Sequence, residues 1–376
     1  MRCGMWQSDI HKQYIYIKGV SEEQRWMSSD IDVLFRLSTE AEDEALRSVY
    51  AFLVEWFSSS STIEVQTSGS TGAPKRIKVD KQQMMRSAIR TCEFLGLKQG
   101  DTAMLCMDMR YIGAKMMVVR ALVGGLKLVV RTPSGHPLSC MTESVDFLSI
   151  VPLQLCNTMN VPAERARLNA IPYIIVGGGA VDESICEALK GMSCKVYSTY
   201  GMTETLSHVA LRPLNGTDAS ECFLPLPGVK VTLASKGTLV INDTLLDGKD
   251  IVTNDVGKVF PDGTFLVCGR ADNVVNSGGV KIQLEEDEVL LRTFIDVPFA
   301  LTSVKDVRLG EALVLLVDKR YKKSDTDLLD SMKKILPLYH IPKYIFRLEA
   351  IPMSGNAKLN RHECQKLAEE MITQRG

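Results

Sequence analysis

The sequence has no long apolar run, no excess of charge of one sign and no paired cysteines of the kind that bind metal. Its 376 residues include 44 Lys or Arg and 45 Asp or Glu, which leaves a net charge of −1. Net charge therefore gives no support for a nucleic-acid or anionic-membrane partner, and we expect a small-molecule substrate. The ten cysteines have no C-x-x-C spacing and the five histidines are scattered, so no zinc-binding pattern emerges. Reduced thiols in the cytoplasm fit this cysteine usage best.

No segment resembles a targeting or membrane-spanning sequence. Residues 1–6 lack the apolar stretch of a signal peptide. The most apolar segment, Met116 to Val130, is interrupted by Arg120 and Lys127. We therefore expect no membrane span and a cytoplasmic location.

Strand-like and helical patterns alternate along the first 200 residues. This alternation predicts a parallel sheet covered by helices on both faces. The predicted strands are Tyr14–Ile17, Thr102–Met107, Lys127–Val130, Val145–Ile150, Tyr173–Val176 and Lys195–Ser198. The predicted helices cover about Glu40–Phe57, 82–95, 112–123, a segment after Pro152, and Asp182–Lys190.

From about residue 223 the pattern changes to short β runs, including a hairpin around Asp262-Gly263. After Arg270 we expect two or three strands and two helices. The sequence thus predicts an α/β fold whose large N-terminal domain (1–270) has a mainly parallel sheet and a small β subdomain. A smaller α+β C-terminal lid domain is predicted for residues 271–376.

One nine-residue segment, Thr67–Lys75, combines several hydroxyls, two glycines and a lysine. It follows Ile63–Gln66, whose alternation of apolar and polar residues predicts a half-buried strand, so the loop leaves a strand end where α/β proteins hold ligands. Glycines allow close backbone approach to an anion, and hydroxyls and amides donate to it, which favours phosphate binding over a plain surface loop. The Walker motif is excluded because Ala73 and Pro74 separate Gly72 from the lysine.

The pattern T-S-G-S-T-G-x-P-K resembles the signature of the adenylate-forming superfamily, which includes acyl- and aryl-CoA ligases, peptide-synthetase adenylation domains and luciferases. The resemblance covers about residues 60–376, and the preceding part is shorter than is usual for the superfamily. Four later stretches match in the same order: Gly177–Ala180, Thr199–Thr205, Thr253–Asp255 with Gly269–Asp272, and Ile351–Arg361.

The resemblance implies roles around bound ATP and Mg²⁺. Tyr200 would stack on adenine, Thr203 would contact the α-phosphate, and Glu204 would bind the metal. The implied nucleotide-binding residues are Thr67, Ser68, Gly69, Ser70, Thr71, Gly72, Lys75, Gly178, Gly179, Ala180, Thr199, Tyr200, Gly201, Thr203, Asp255 and Arg270. The implied catalytic residues are Lys75, Thr203, Glu204 and Lys358, with Asp272 as the hinge.

Each stretch also has an ordinary structural explanation. A glycine turn after a strand is common, a tyrosine beside it is usually core, and an aspartate after a β run is usually a turn residue. Four positions depart from the superfamily pattern, namely Arg76, Asn254, Asn276 and Ala357. A non-catalytic adenine-nucleotide-binding protein is therefore the alternative of a different class.

The implied reaction is activation of a carboxylic acid as an acyl-adenylate, followed by transfer to a thiol. No carrier-protein domain follows Arg361, so we expect free coenzyme A as the acceptor. Arg110 and Lys115 lie in the segment that lines the acyl pocket in the superfamily, and two cations there favour an acid with a second carboxylate. The alternative is that Arg110 and Lys115 are ordinary surface charges. The subfamily that activates 2-succinylbenzoate for menaquinone synthesis fits best, and aryl-acid and medium-chain fatty-acid ligases are the alternatives. A homo-oligomer is also compatible with the sequence.

Overall fold

The computed structural model describes residues 6–19, 23–66, 76–353 and 359–374. The chain forms two compact units. The first unit contains Met1–Lys230, Asn242–Asp250 and Pro261–Thr264, and the second contains Val231–Ile241, Ile251–Phe260 and Phe265–Gly376. The functional boundary between residues 270 and 271 stays a prediction. Within the described ranges, no helix is long and apolar enough to cross a membrane.

The structure describes twenty strands and ten α-helices. The strands are β1 (Tyr14–Lys18), β2 (Glu23–Met27), β3 (Thr62–Gln66), β4 (Arg76–Asp80), β5 (Thr102–Leu105), β6 (Lys127–Val130), β7 (Phe147–Ile150), β8 (Tyr173–Val176), β9 (Lys195–Gly201), β10 (His208–Pro213), β11 (Leu224–Pro225), β12 (Val229–Leu233), β13 (Thr238–Asp243), β14 (Asp250–Val259), β15 (Phe265–Arg270), β16 (Val274–Ser277), β17 (Val280–Gln283), β18 (Phe299–Asp306), β19 (Gly310–Asp318) and β20 (Tyr344–Leu348). The helices are α1 (Ile31–Glu40), α2 (Glu44–Phe57), α3 (Lys81–Leu95), α4 (Ile112–Gly124), α5 (Pro152–Asn160), α6 (Pro162–Asn169), α7 (Glu183–Leu189), α8 (Leu284–Leu291), α9 (Asp325–Ile335) and α10 (Arg361–Thr373).

The first unit is built on a nine-stranded sheet with the order β11-β10-β9-β8-β7-β5-β6-β1-β2. The neighbours from β9 to β1 are parallel. The outer strands β2, β10 and β11 are antiparallel. The prediction of a mainly parallel sheet in an α/β fold is therefore confirmed, and the carboxyl ends of the central strands share one edge.

Both faces of this sheet are buried. Ala103 and Leu105 of β5 belong to one apolar cluster, whereas Met104 between them belongs to another. The strands of such a parallel sheet are apolar on both sides, so helices must cover both faces to keep them from water. The helix α4 is buried around most of its circumference and carries Arg120 inside this core.

The region before the sequence-predicted phosphate loop differs from the expectation in two ways. A single helix over about 40–57 was expected, but α1 and α2 are separate because Asp43 caps α2, its carboxylate accepting a hydrogen bond from the Leu46 amide at 3.0 Å. The predicted strand at 63–66 exists as β3, but among the described strands it pairs with β4 alone, antiparallel, in a two-stranded sheet separate from the main one. The loop between them therefore joins two strands of a hairpin.

The second unit holds the remaining sheets. Most of the four-stranded sheet β12-β13-β14-β15 belongs to it, and β14 and β15 are antiparallel as the hairpin around Asp262-Gly263 predicted. Its C-terminal part is a five-stranded sheet, β17-β16-β19-β18 with β20 beside β19. Five strands and three helices exceed the two or three strands and two helices expected there. The strands β16 and β17 have only four residues each, too few for a periodic pattern to stand out in the sequence.

Candidate active site

Two segments that follow neighbouring parallel strands leave the main sheet at the same edge. Val176, the last residue of β8, pairs in register with Ser198 of β9, so residues 177–180 and 199–204 lie side by side. Thr199 Oγ1 donates to the Val176 carbonyl at 3.3 Å, and a Cβ at Gly177 would lie 2.9 Å from that hydroxyl. Gly178, Gly179 and Ala180 are exposed, with Gly178 at φ +86°. Carboxyl ends of parallel strands are where such sheets bind ligands.

Tyr200 is the second-to-last residue of β9, and most of its side chain is buried. Its ring packs against Phe223 with a centroid distance of 5.7 Å and an interplanar angle of 54°. The ring plane is therefore fixed by the fold, as a platform for a stacked base requires. Its role toward adenine stays a prediction.

Residues Thr203–Thr205 form a 3₁₀ turn directly after β9. The Thr203 side chain is buried, whereas Glu204 is exposed. The Glu204 carboxylate forms no hydrogen bond or ion pair with any residue in the described part of the chain. Mg²⁺ takes oxygen ligands and is typically held by one or two carboxylates together with substrate phosphates and water, which this single carboxylate fits.

The turn ends in a strained γ-turn at Leu206. This residue has φ +64° and ψ −42°, and the Ser207 amide donates to the Thr205 carbonyl at 2.7 Å. A non-glycine residue in such a conformation costs about 1–3 kcal/mol and persists only where its surroundings hold it. Gly201 is part of that support, because a Cβ there would lie 2.3 Å from the Ser207 carbonyl oxygen.

The two cations predicted near the acyl pocket are both engaged by the protein. Arg110 is exposed and pairs with Asp108, with 2.5 Å between Nη2 and Oδ2. The hydrogen bond from Arg110 lowers the pKa of Asp108. Lys115 is partly buried and its Nζ donates to the Glu64 carbonyl at 2.8 Å. Their role toward substrate stays a prediction.

Arg120 is a buried cation that the sequence analysis noted only as an interruption of an apolar segment. Its side chain is 2% exposed, and none of the carboxylates that the structure describes pairs with it. Nη2 donates to Ser207 Oγ at 2.6 Å, Nη1 lies 3.8 Å from the Met117 sulfur, and Nε has no partner within the described residues. Burial lowers the pKa of Arg120 to about 10, which still leaves it charged at pH 7. Buried charges are normally paired, because an unpaired charge in the interior is costly.

In the second unit, Asp255 and Arg270 face each other across β14 and β15. They are register partners, and Arg270 Nη1 lies 3.3 Å from Asp255 Oδ1. Arg270 Nη2 also contacts Asp272 Oδ2 at 3.1 Å. Asn254, where the superfamily usually has glycine, donates to the same Asp272 oxygen at 3.1 Å. The two residues predicted to hold ribose are therefore paired with each other, and the predicted hinge residue receives two donors.

Two predicted parts of the site lie outside the described residues. These are the Thr67–Lys75 loop and Lys358. The residue three positions after Lys358, Arg361, is described and is anchored to α8, where its Nη2 lies 2.7 Å from Glu288 Oε2. The roles of Lys75 and Lys358 stay predictions.

Comparison with known proteins shows the family to which the chain belongs. Residues 59–243 match the family described as AMP-binding enzyme. An acyl-CoA synthetase (AMP-forming)/AMP-acid ligase II-like protein from Dyadobacter fermentans is 31% identical, with a TM-score of 0.59 and coverage of 86% of this chain and 95% of that one. A 2-succinylbenzoate–CoA ligase from Bacillus cytotoxicus is 24% identical over 394 residues, which is 93% of this chain and 82% of the relative. The o-succinylbenzoate coenzyme A synthetase of Bacillus subtilis, solved with ATP and magnesium, is 19% identical with a TM-score of 0.70, over 90% of this chain and 82% of that one.

The fold, a mainly parallel sheet and a smaller α+β unit, is shared with adenylate-forming enzymes. The chain belongs to the AMP-binding enzyme family. Its named relatives are CoA ligases, which form the AMP-producing acid–thiol class. The resemblance drawn from the motifs is therefore confirmed.

Proposed function

We propose that this protein is an ATP-dependent acid:CoA ligase that activates 2-succinylbenzoate. The observation that carries the nucleotide part is Glu204 at the carboxyl edge of the sheet, beside Tyr200 and the glycine loop 177–180. Its side chain is exposed and has no partner among the described residues. The family match and the named relatives support the ligase class.

The first step needs no general base. A carboxylic acid with a pKa of about 4 is ionised at neutral pH, so its oxygen attacks the α-phosphorus of ATP directly and pyrophosphate leaves. The obstacle is the approach of two anions, which positioned cations and hydroxyls overcome. Lys75, Thr203 and Lys358 are the proposed donors, and Mg²⁺ held by Glu204 would neutralise phosphate charge.

The second step is attack of the coenzyme A thiol on the acyl carbonyl of the adenylate, with AMP leaving. We propose that the segment after Asp272 carries Lys358 away between the two steps. An enzyme that catalyses both half-reactions with one lid needs such a movement. Lys358 would otherwise block the path by which the coenzyme A thiol reaches the adenylate.

The substrate assignment is based on the buried guanidinium of Arg120. A second carboxylate on the acid would supply the anion that Arg120 lacks within the described chain, since guanidinium and carboxylate match as bidentate partners. Arg120 also contacts Ser207, two residues after the turn that presents Glu204. Arg110 and Lys115, which the sequence analysis favoured, remain the competing positions for this anchor.

A pyrophosphate-release assay over a panel of carboxylic acids, with and without coenzyme A, tests the proposal. The panel includes 2-succinylbenzoate, benzoates and medium-chain fatty acids. We expect release to be fastest with 2-succinylbenzoate, with AMP as the nucleotide product. Preference for another acid would overturn the substrate, and ATP binding without acid-dependent pyrophosphate release would overturn the ligase activity in favour of a nucleotide-binding protein.

A further inference from the structure

Hydrogen bonds connect four side chains near the Thr203–Thr205 turn, namely Arg120, Ser207, His208 and Thr91. In this chain every donor points the same way. Thr91 of α3 has a single hydroxyl proton and donates it to the Ser87 carbonyl at 3.2 Å. With that proton on the Ser87 carbonyl, Thr91 accepts in its 3.0 Å contact with His208 Nε2. We assign the proton of His208 to Nε2 on this arrangement.

The other end of the chain has the same direction. With the proton of His208 assigned to Nε2, Nδ1 carries none and accepts from Ser207 Oγ, which lies 3.4 Å away. Ser207 Oγ in turn accepts from Arg120 Nη2, because a guanidinium can only donate. Protons thus point from Arg120 through Ser207 and His208 to Thr91, and every member except Arg120 uses both its donor and its acceptor.

The surroundings of His208 keep the ring neutral. Its side chain is 6% exposed. Burial, together with the positive charges of Arg120 and Arg90, holds the pKa of His208 well below its usual value. A neutral imidazole with a defined tautomer is what the directional chain requires.

Ser207 links this chain to the metal-binding turn. It is the last residue of the strained γ-turn, its carbonyl accepts from Thr205 Oγ1 at 2.7 Å, and Gly201 packs against it. Thr205 Oγ1 also accepts from the Met202 amide at 2.9 Å. The direction of the backbone at Glu204 therefore depends on where Ser207 is held.

We propose that His208, as the neutral Nε2–H tautomer, is a positioning residue that connects α3 to Ser207 and so holds the turn presenting Glu204. It acts through Ser207 and does not touch the substrate. This inference rests on the proposed function only where it concerns the metal–nucleotide complex, and the tautomer is independent of that function.

The tautomer is tested on the parent protein. In ¹⁵N-labelled protein at pH 7, with resonances assigned by through-bond experiments, we expect one imidazole with a protonated Nε2 and an unprotonated Nδ1, which disappears in His208→Asn. An Nδ1–H tautomer or a doubly protonated ring at His208 would overturn the inference. This measurement needs no enzymatic activity.

The positioning role is tested by calorimetric ATP affinity with and without Mg²⁺. His208→Gln retains a donor near Thr91 but no acceptor near Ser207, whereas His208→Asn retains an acceptor near Ser207. We expect His208→Gln to reduce the Mg²⁺-dependent gain in ATP affinity by about tenfold, as loss of a supporting hydrogen bond does at metal sites, and His208→Asn to remain nearer the parent. Metal-free ATP affinity should be unchanged.

Two further variants separate positioning from simple loss of packing. Thr91→Val removes the far end of the chain and should reduce the same Mg²⁺-dependent gain. Thr158→Val removes a buried hydroxyl that has no partner in the described chain and should leave it unchanged. If His208→Gln and Thr91→Val lower the Tm but keep the parent's Mg²⁺-dependent gain, the residues are only structural and the inference is wrong. If the parent binds ATP and Mg²⁺ but releases no pyrophosphate with any acid, the proposed function fails and the positioning inference stands.

Discussion

Arg90 and Asp243 form a bidentate ion pair inside the first unit, although 153 positions separate them in the chain. Nη1 to Oδ1 and Nη2 to Oδ2 are both 2.9 Å, and both side chains are buried. Asp243 Oδ1 also accepts from the Leu245 amide at 2.9 Å. The pair therefore fixes α3, which carries Thr91, to a segment far along the sequence.

Removing one member of this pair should be costly. Asp243→Asn leaves the buried guanidinium without a counter-charge, and breaking a buried pair costs about 3–5 kcal/mol of unfolding free energy. Urea unfolding followed by tryptophan fluorescence measures the loss. Asp108→Asn, which removes the partner of exposed Arg110, is the matched control and should cost at most about 1 kcal/mol. Equal small losses in the two variants would contradict the expectation.

Asp255→Ala should weaken ATP binding. A charged hydrogen bond contributes about 1.5–3 kcal/mol, which corresponds to a rise in the KM for ATP of about tenfold to a hundredfold. The KM for the acid should change little. Asp262→Ala, in the turn of the same hairpin, is the control because its carboxylate accepts only from Thr264 among the hydrogen bonds of the described chain. An unchanged KM for ATP in Asp255→Ala would argue against a ribose contact.

Three methionine variants locate the substrate anchor. Arg120→Met keeps volume but removes the buried charge, so kcat/KM for 2-succinylbenzoate should fall by at least about a hundredfold, since loss of one partner of a buried pair costs about 3–5 kcal/mol. At saturating MgATP the turnover of benzoate should change much less, whereas the KM for ATP should rise because Arg120 also donates to Ser207. Arg110→Met and Lys115→Met should behave like the parent. A large loss confined to either of those two would instead confirm the anchor predicted from the sequence.

Lys358→Ala should separate the two half-reactions. Adenylate formation should be abolished because the charge that compensates the two anions is lost, whereas thioester formation from supplied acyl-adenylate should remain. Pyrophosphate release and thioester formation are measured in separate single-turnover assays. Lys366→Ala in α10, whose ammonium pairs with Glu370 at 3.8 Å, is the control and should leave both rates unchanged. Equal loss of both half-reactions in Lys358→Ala would contradict the assignment.

Glu143 should contribute to acid sensitivity of the first unit. Burial raises the pKa of Glu143, but hydrogen bonds from Arg131 and from backbone amides outweigh it and bring the pKa to about 2. A folded pKa below the unfolded value of about 4.3 stabilises the protein above that pH, and this contribution is lost as pH falls toward 2. The fall in Tm between pH 5 and pH 2 should therefore be smaller in Glu143→Gln. The exposed Glu221→Gln is the control, and an identical pH dependence in both variants would refute the role of Glu143.

Much of the fold follows from local patterns in the sequence. The strands at 127–130 and 173–176 end where the apolar runs end, because strand and helix periodicity depend on residues only a few positions apart. The turns that carry Gly178 and Glu204 were also predicted at the ends of strands, because the glycine-rich and Thr-Glu segments directly follow apolar runs in the sequence. The break between α1 and α2 was missed because Asp43 acts as a cap only when the chain before it leaves the helical direction.

The arrangement of charge in the interior was decided by the tertiary structure alone. In the sequence, Arg120 is only a cation that interrupts an apolar segment, and Arg110 and Lys115 are the predicted substrate anchors. Only the packing of α4 inside the core buries Arg120 while Arg110 stays with Asp108 at the surface. The chain from Ser207 through His208 to Thr91 likewise joins residues 117 positions apart, and its direction depends on donor and acceptor positions that no local pattern contains. Such relationships arise when strand register and helix packing bring distant side chains together. Sequence periodicity indicates which face of an element a residue occupies, but not which side chains it contacts there.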